Sequence, residues 1–257
     1  MKVVILAGGT RSTISNEREG IPKPMVEVGG KPLLWHIMKS FSAYGFHEFI
    51  ICGGYKVDLI KEYFMDYYIY QSDITVDLQN NIIEIHKNRT EDWKVTIVDT
   101  GLYSATGQRV AKIQGYIKED TFILAYGDCL SDIDIKQMCV CHEKQGKIAT
   151  MAVARPTGRN EALEINADGL VERKQHSMGE NQAWTNACLF ILDRRVFSIL
   201  NGNYELERLL TDNLAEKGEL ITYKHEGFWT PVETYRDRVN MENLWNAGVA
   251  PWIKEVR

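Results

Sequence analysis

Apolar residues along this chain recur with two alternating periods, and that alternation predicts the architecture. A short unbroken apolar run at residues 3–6 reads as a buried strand and stops at Gly8-Gly9. Residues 26–28 lead into a Gly29-Gly30 turn. Pro32 then opens a helix whose Leu33, Ile37 and Phe41 recur at helical spacing. Phe49-Ile50-Ile51-Cys52 repeats the buried-strand pattern and ends at Gly53-Gly54, before a helix over 56–67 that carries Ile60, Tyr63 and Phe64 on one face. Residues 108–117 read as a helix, 121–126 as a strand ending at Gly127-Asp128, 135–145 as a helix and 148–154 as a strand. Strands alternating with helices predict an α/β fold with a mostly parallel sheet, whose ligands gather at the carboxyl ends of the strands.

Residues 68–99 break this rhythm. Ile74, Val76 and Leu78 alternate with polar residues, Asn80-Asn81 marks a turn, and Ile83 and Ile85 alternate again, followed by Trp93, Val95 and Ile97. The pattern predicts an antiparallel excursion of two or three strands, either a sheet extension or an arm that contacts another subunit. The last hundred residues are mixed. Strands are expected over 162–166, 170–175, 184–192 and 220–225, helices near 194–201, 206–217 and 234–247, and a hairpin turn at Asp168-Gly169. No repeat, low-complexity tract or linker interrupts the chain, so one domain over 1–257 is expected.

Composition narrows the class. With 257 residues, 44% of them hydrophobic, the chain is long enough to bury a sizeable core and too apolar for disorder. No apolar run reaches membrane-spanning length, and Met1-Lys2-Val3 enters a strand without the layout of a signal peptide. Five cysteines suit reduced thiols in a cytoplasm better than a disulfide framework. A net charge of −5 with no basic run argues against nucleic-acid or membrane-surface binding. A soluble cytoplasmic protein is expected.

The candidate chemistry begins at the first strand. Glycines at 8 and 9 remove Cβ atoms, so backbone N–H groups can cradle a phosphate chain. Lys23 returns a positive charge from a segment stiffened by Pro22 and Pro24. Together they suggest a nucleoside triphosphate site, although neither the P-loop nor the dinucleotide glycine pattern is present. Asp128 follows a buried strand, where a carboxylate facing a glycine loop would hold Mg²⁺ bridging phosphates. Asp132 and Asp134 read instead as caps for the helix beginning near Ile135. Cys139-x-Cys141-His142 lies on a predicted helix, where i and i+2 side chains point apart, so it is assigned to core and surface rather than to a metal.

Leu6-Ala7-Gly8-Gly9 and Pro22-Lys23-Pro24-Met25 resemble the fingerprint of the sugar-1-phosphate nucleotidyltransferases, L-A-G-G-x-G-T-R followed by P-K-P-M. Within them the chain looks most like the glucose-1-phosphate cytidylyltransferases, over essentially its whole length. The resemblance implies a Rossmann-like sheet of the nucleotide-diphospho-sugar transferase type, and transfer of CMP from CTP to a sugar phosphate with Mg²⁺ as cofactor. It also implies a homo-oligomer built through the 68–99 region. Residue by residue, it implies Lys23 and Arg11 as catalytic cations, and Leu6, Ala7, Gly8, Gly9, Thr10, Arg109 and Gly127 around the nucleotide. Asp128 and Glu233 would be the metal ligands, and Asn186, Glu161, Lys174 and His176 would stand on the acceptor side. Glu233 occupies the aspartate position of W-x-P-x-D-T, and as a bland alternative it would serve the first turn of the following helix.

Two stretches depart from the pattern. Counting back from Pro22 without a gap puts Thr13 at the fingerprint's arginine, whereas a loop shorter by two residues makes Thr10-Arg11 the T-R pair. The E-K-P of the acceptor side falls at His176-Ser177-Met178, where Arg173, Lys174 and His176 remain to replace the missing charge. A changed acceptor, or a nucleotide-binding subunit without turnover, is the alternative that these departures leave open.

Overall fold

A computed structural model of the chain describes residues 1–9, 20–88, 90–155, 164–165, 169, 171–172 and 184–253, with backbone alone at 88, 164–165 and 171–172. Of the residues singled out above, Thr10, Arg11, Glu161, Lys174 and His176 lie outside the described residues.

A seven-stranded sheet organises the molecule. From edge to edge its strands are Leu220–His225, Ala149–Ala154, Thr185–Asp193, Thr121–Tyr126, Val3–Ala7, Glu48–Gly53 and Lys94–Asp99. Adjacent strands run parallel except at Thr185–Asp193, which is antiparallel to both of its neighbours. The expected mostly parallel α/β sheet with a mixed carboxyl-terminal part is therefore present. Alternate side chains of a strand point to opposite faces, and Val3–Ala7 accordingly feeds two cores. Val3, Ile5 and Ala7 join Leu33–Ser42, Ile135–Gln145 and Tyr235–Asn246 on one face, while Val4 and Leu6 join Thr106–Lys112 and the 206–214 segment on the other. Among the described residues no helix is long and apolar enough to cross a membrane.

The strand order reverses about Val3–Ala7. Glu48–Gly53 pairs with it on one side and Thr121–Tyr126 on the other, both parallel, so their carboxyl ends open a crevice where ligands of open α/β sheets bind. Gly8 and Gly127-Asp128 stand at that point.

The 68–99 region differs from expectation in one respect. Ser72–Asp77 and Ile82–Asn88 form an antiparallel hairpin, but the third alternating run becomes the Lys94–Asp99 edge strand, parallel to Glu48–Gly53. An edge strand is half covered, so it alternates just as an antiparallel ribbon does, and period alone does not separate the two. Around Asp168-Gly169, Glu164–Ile165 pairs antiparallel with Val171–Glu172, and Gly169 takes φ +81°. The helix expected over 206–217 is divided into α-helix at Leu206–Leu210 and a π turn at Thr211–Ala215. His142 is buried against Thr150 Oγ1 at 2.8 Å, a core histidine as expected, and Asp134 caps its helix through the Gln137 N–H.

Candidate active site

Lys23 reaches the crevice because its segment is pinned at both ends. Pro22 and Pro24 frame a 3-10 turn closed by Met25 N–H to Pro22 O (2.9 Å) and Val26 N–H to Lys23 O (3.0 Å). Pro24 packs on Gly127, where a Cβ would lie 2.8 Å from Pro24 Cγ and 2.9 Å from Leu6 O. Gly127 must therefore lack a side chain for the lysine turn to lie against the strand ends, and its N–H bonds Leu6 O at 2.9 Å. Lys23 Nζ consequently stands 3.3 Å from Asp128 Oδ2, with both side chains only partly exposed.

Glu233 arrives by a second route. Trp229–Pro231 pairs antiparallel with Cys129–Ser131, and Val232 N–H bonds Asp128 O at 2.8 Å, so the residue after Val232 lies beside Asp128. The following helix is capped by Thr234 and Asp237 in a reciprocal capping box, which leaves the Glu233 carboxylate out of that role. Cys129 Sγ lies 3.8 Å from Asp128 Oδ1. Its thiol is pushed up by a hydrogen bond with Cys188, then by burial, and further by the nearby charges of Cys188, Asp128 and Glu233.

A cleft of about 570 Å³ opens over this point, with Leu6, Gly8, Gly9, Arg109, Tyr126 and Asp128 along the sheet and the 102–106 loop opposite. Arg109 lies under it, buried, and both of its terminal nitrogens donate within the protein. Nη1 donates to Thr100 Oγ1 (2.7 Å), Gly101 O (2.8 Å) and Gly53 O (3.1 Å), and Nη2 to Leu102 O (3.2 Å). Burial lowers its pKa, opposed by the charges of Cys52, Asp99 and Glu205. The space for the guanidinium exists because Gly8 and Gly54 have no side chains: a Cβ on Gly8 would fall 2.1 Å from Nη1. Arg109 thus ties the glycine loop to the 100–102 loop. Gly107 plays a matching part, since a Cβ there would meet Leu209 and the Tyr204 carbonyl.

Comparison with known proteins places the chain in a family. A model of the Nucleotidyl transferase family matches residues 2–164. Over 256 residues the chain is 45% identical to glucose-1-phosphate cytidylyltransferase of Salmonella typhimurium, covering 98% of each chain. It is 36% identical to a probable glucose-1-phosphate cytidylyltransferase of Bacillus subtilis, covering 98% of this chain and 99% of that one. The chain belongs to the nucleotidyl transferase family. Its fold is shared with a putative glucose-1-phosphate thymidylyltransferase of Bacillus anthracis (TM-score 0.74, 17% identity, 100% of this chain and 97% of that one). HddC of Yersinia pseudotuberculosis shares it as well (TM-score 0.71, 20% identity, 95% and 99%).

In this nucleotidyl transferase, then, Lys23 meets Asp128, which lines one cleft with Leu6, Gly8, Gly9 and Arg109, while Ala7 is buried and Glu233 follows the Val232 that bonds Asp128. Asn186 is half-buried on the Thr185–Asp193 strand and donates through Nδ2 to Glu207 Oε1 at 3.1 Å. Tyr126, at the end of the Thr121–Tyr126 strand, donates its hydroxyl to the same oxygen. Glu207 and Tyr126 were not anticipated from the sequence. A glutamate in the first turn of a helix and a tyrosine at a strand end carry no motif, and only the packing of the 206–210 helix across the sheet brings them to Asn186.

Two carboxylates at a strand-end crevice fit a hard cation. Mg²⁺ is usually held by one or two carboxylates together with substrate phosphates, which is the donor set that Asp128 and Glu233 offer.

Proposed function

We propose that this enzyme transfers the CMP group of CTP to the phosphate of a sugar 1-phosphate, glucose 1-phosphate being the first acceptor to test, and releases pyrophosphate. The observation that carries the reading is the Lys23–Asp128 contact of 3.3 Å at the mouth of the cleft. The choice of base and sugar follows from what the Salmonella relative's name states. An oxygen of the acceptor phosphate attacks the α-phosphorus of CTP. A new P–O bond forms, the bond to the bridging oxygen breaks, and its electrons leave with pyrophosphate. Lys23 supplies three N–H donors and a positive charge between the α-phosphate and the acceptor phosphate. Gly8 and Gly9 cradle the triphosphate, with Thr10 and Arg11, outside the described residues, assigned to the nucleotide and to charge neutralisation of the leaving pyrophosphate. Arg109 holds that loop in shape from below. Asp128 and Glu233 would hold Mg²⁺, which would supply charge neutralisation to the phosphate oxygens. Asn186, Glu161, Lys174 and His176 bind the acceptor. In such sites catalysis is positioning plus charge neutralisation, so one cationic contact is worth about 2.7–4 kcal/mol of barrier.

Assembly follows from the hairpin. Its register sets Ile74 opposite Ile85 and Val76 opposite Ile83, so one face carries four aliphatic side chains, each 38–52% exposed. A two-stranded ribbon is marginal in water by itself, and a second copy of the chain is the partner proposed to cover that face. All five cysteines are free thiols, which supports a cytoplasmic setting.

The test is pyrophosphate release with CTP, Mg²⁺ and glucose 1-phosphate, set against UTP, GTP and dTTP and against a panel of other sugar 1-phosphates. Release with CTP well above the other nucleotides supports the proposal; no release with any pair overturns it.

A further inference from the structure

Asn186 is held from two sides. Its Oδ1 accepts the backbone N–H of Cys188 at 2.8 Å, and Nδ2 donates to Glu207 Oε1 at 3.1 Å. Cys188 follows in a left-handed conformation at φ +61°, a backbone state that few residues other than glycine adopt freely and that the short Asn186–Cys188 turn supports. Rotating the amide by half a turn would set its NH₂ against the Cys188 N–H and its oxygen against a carboxylate, two repulsive contacts. The amide orientation is therefore fixed, and of the two N–H groups on Nδ2 one remains beyond the Glu207 bond.

Glu207 is itself fixed. The Tyr126 hydroxyl donates to the same Oε1, and Tyr126 sits two residues before Asp128 in the crevice. Burial pushes the Glu207 carboxyl up. Burial, followed by the charge of Glu207, pushes the Tyr126 phenol well up, so Tyr126 stays a donor.

We propose that Glu207 is a positioning residue: through Oε1 it locks Asn186 as a hydrogen-bond donor toward the acceptor substrate, which must present an oxygen acceptor at that point. This rests on the reading of the enzyme as a transferase to a sugar phosphate. It adds a selection rule, because an acceptor offering an N–H or a methyl group at that position would leave the Asn186 donor unsatisfied.

The test compares Glu207→Leu and Glu207→Gln by steady-state kinetics, with CTP and glucose 1-phosphate varied separately. Glu207→Leu removes the oxygen, and the acceptor KM rises about tenfold, the loss of one well-placed hydrogen bond. The KM for CTP stays within about twofold of wild type, as an effect confined to the acceptor side requires. Glu207→Gln keeps Oε1 and restores the acceptor KM to within about twofold of wild type. If Glu207→Leu does not fold, Tyr126→Phe carries the test. Loss of its donor loosens Glu207 and raises the acceptor KM about threefold without moving that for CTP. Wild-type turnover with equal changes in both KM values, with no change, or with Glu207→Gln as impaired as Glu207→Leu overturns this inference alone. Absence of wild-type turnover overturns the transferase reading and this inference with it.

Discussion

Adding one methyl group at Gly8 should unfold the glycine loop rather than merely narrow the cleft. An alanine Cβ there would lie 2.1 Å from Arg109 Nη1 and 2.3 Å from Cζ. The guanidinium cannot yield cheaply, because it is buried and its four hydrogen bonds run to Gly53, Thr100, Gly101 and Leu102. Displacing it far enough to clear a methyl group breaks at least two of those bonds, each worth about 1.5–3 kcal/mol for a charged donor, so about 3–6 kcal/mol in all. Replacing glycine by alanine returns about 0.4–1 kcal/mol through the unfolded chain. The net loss is roughly 2–5 kcal/mol, and at about 2–4 °C per kcal/mol for a chain approaching this size the midpoint falls by about 5–20 °C. The assay is thermal and urea unfolding followed by tryptophan fluorescence, with Gly9→Ala as the control. A Cβ on Gly9 meets nothing within 4 Å, so that variant keeps its midpoint and loses only activity. Equal midpoints for Gly8→Ala and wild type would refute the claim that Arg109 is locked beneath the loop.

Other expectations follow from the same geometry. Asp128→Asn and Glu233→Gln should each lower kcat about 100-fold or more and raise the Mg²⁺ concentration for half-maximal rate, while EDTA abolishes activity; normal metal dependence in both variants would remove these residues from the site. Burial lowers the pKa of His36 and His142 from 6.5, so both contribute nothing above that pH, and stability falls as the unfolded chain gains protons that the folded one refuses. Unfolding midpoints at pH 7.5 and 5.5 check this, and His142→Gln should shrink the difference between them. Lysine at both Ile83 and Ile85 charges the apolar face of the hairpin, which lies outside both cores, and should reduce the sedimenting species to a smaller one without lowering the unfolding midpoint.

Much of the fold could be read before any coordinates, and for physical reasons. Thr121–Tyr126, Ile135–Gln145 and Leu220–His225 run between the residues that their periodicity indicated, since each is bounded by glycine, aspartate or charged turn residues. The meeting of Lys23 with Asp128 was legible because glycine and proline fix the backbone around them, whereas Glu233 was named only through the family resemblance. What escaped was set by tertiary packing. Residues 93–97 alternate like a ribbon because an edge strand is half solvated, whichever way its neighbour runs. The resemblance set Arg109 around the nucleotide, and only the absence of Cβ atoms at Gly8 and Gly54 reveals a buried guanidinium serving the protein's own oxygens. Glu207 stands about 80 residues from Tyr126 in sequence, and neither residue alone announces their shared bond to Asn186.

The proposed chemistry requires Lys23 to be the cation between two phosphates. Its ion pair with Asp128 is partly exposed and worth no more than about 1 kcal/mol to stability, so Lys23→Met should leave the unfolding midpoint nearly unchanged. The decisive measurement is kcat for that variant with CTP and glucose 1-phosphate. A fall of about 100- to 1,000-fold at an unaltered midpoint is predicted; turnover at the wild-type rate would contradict the central claim.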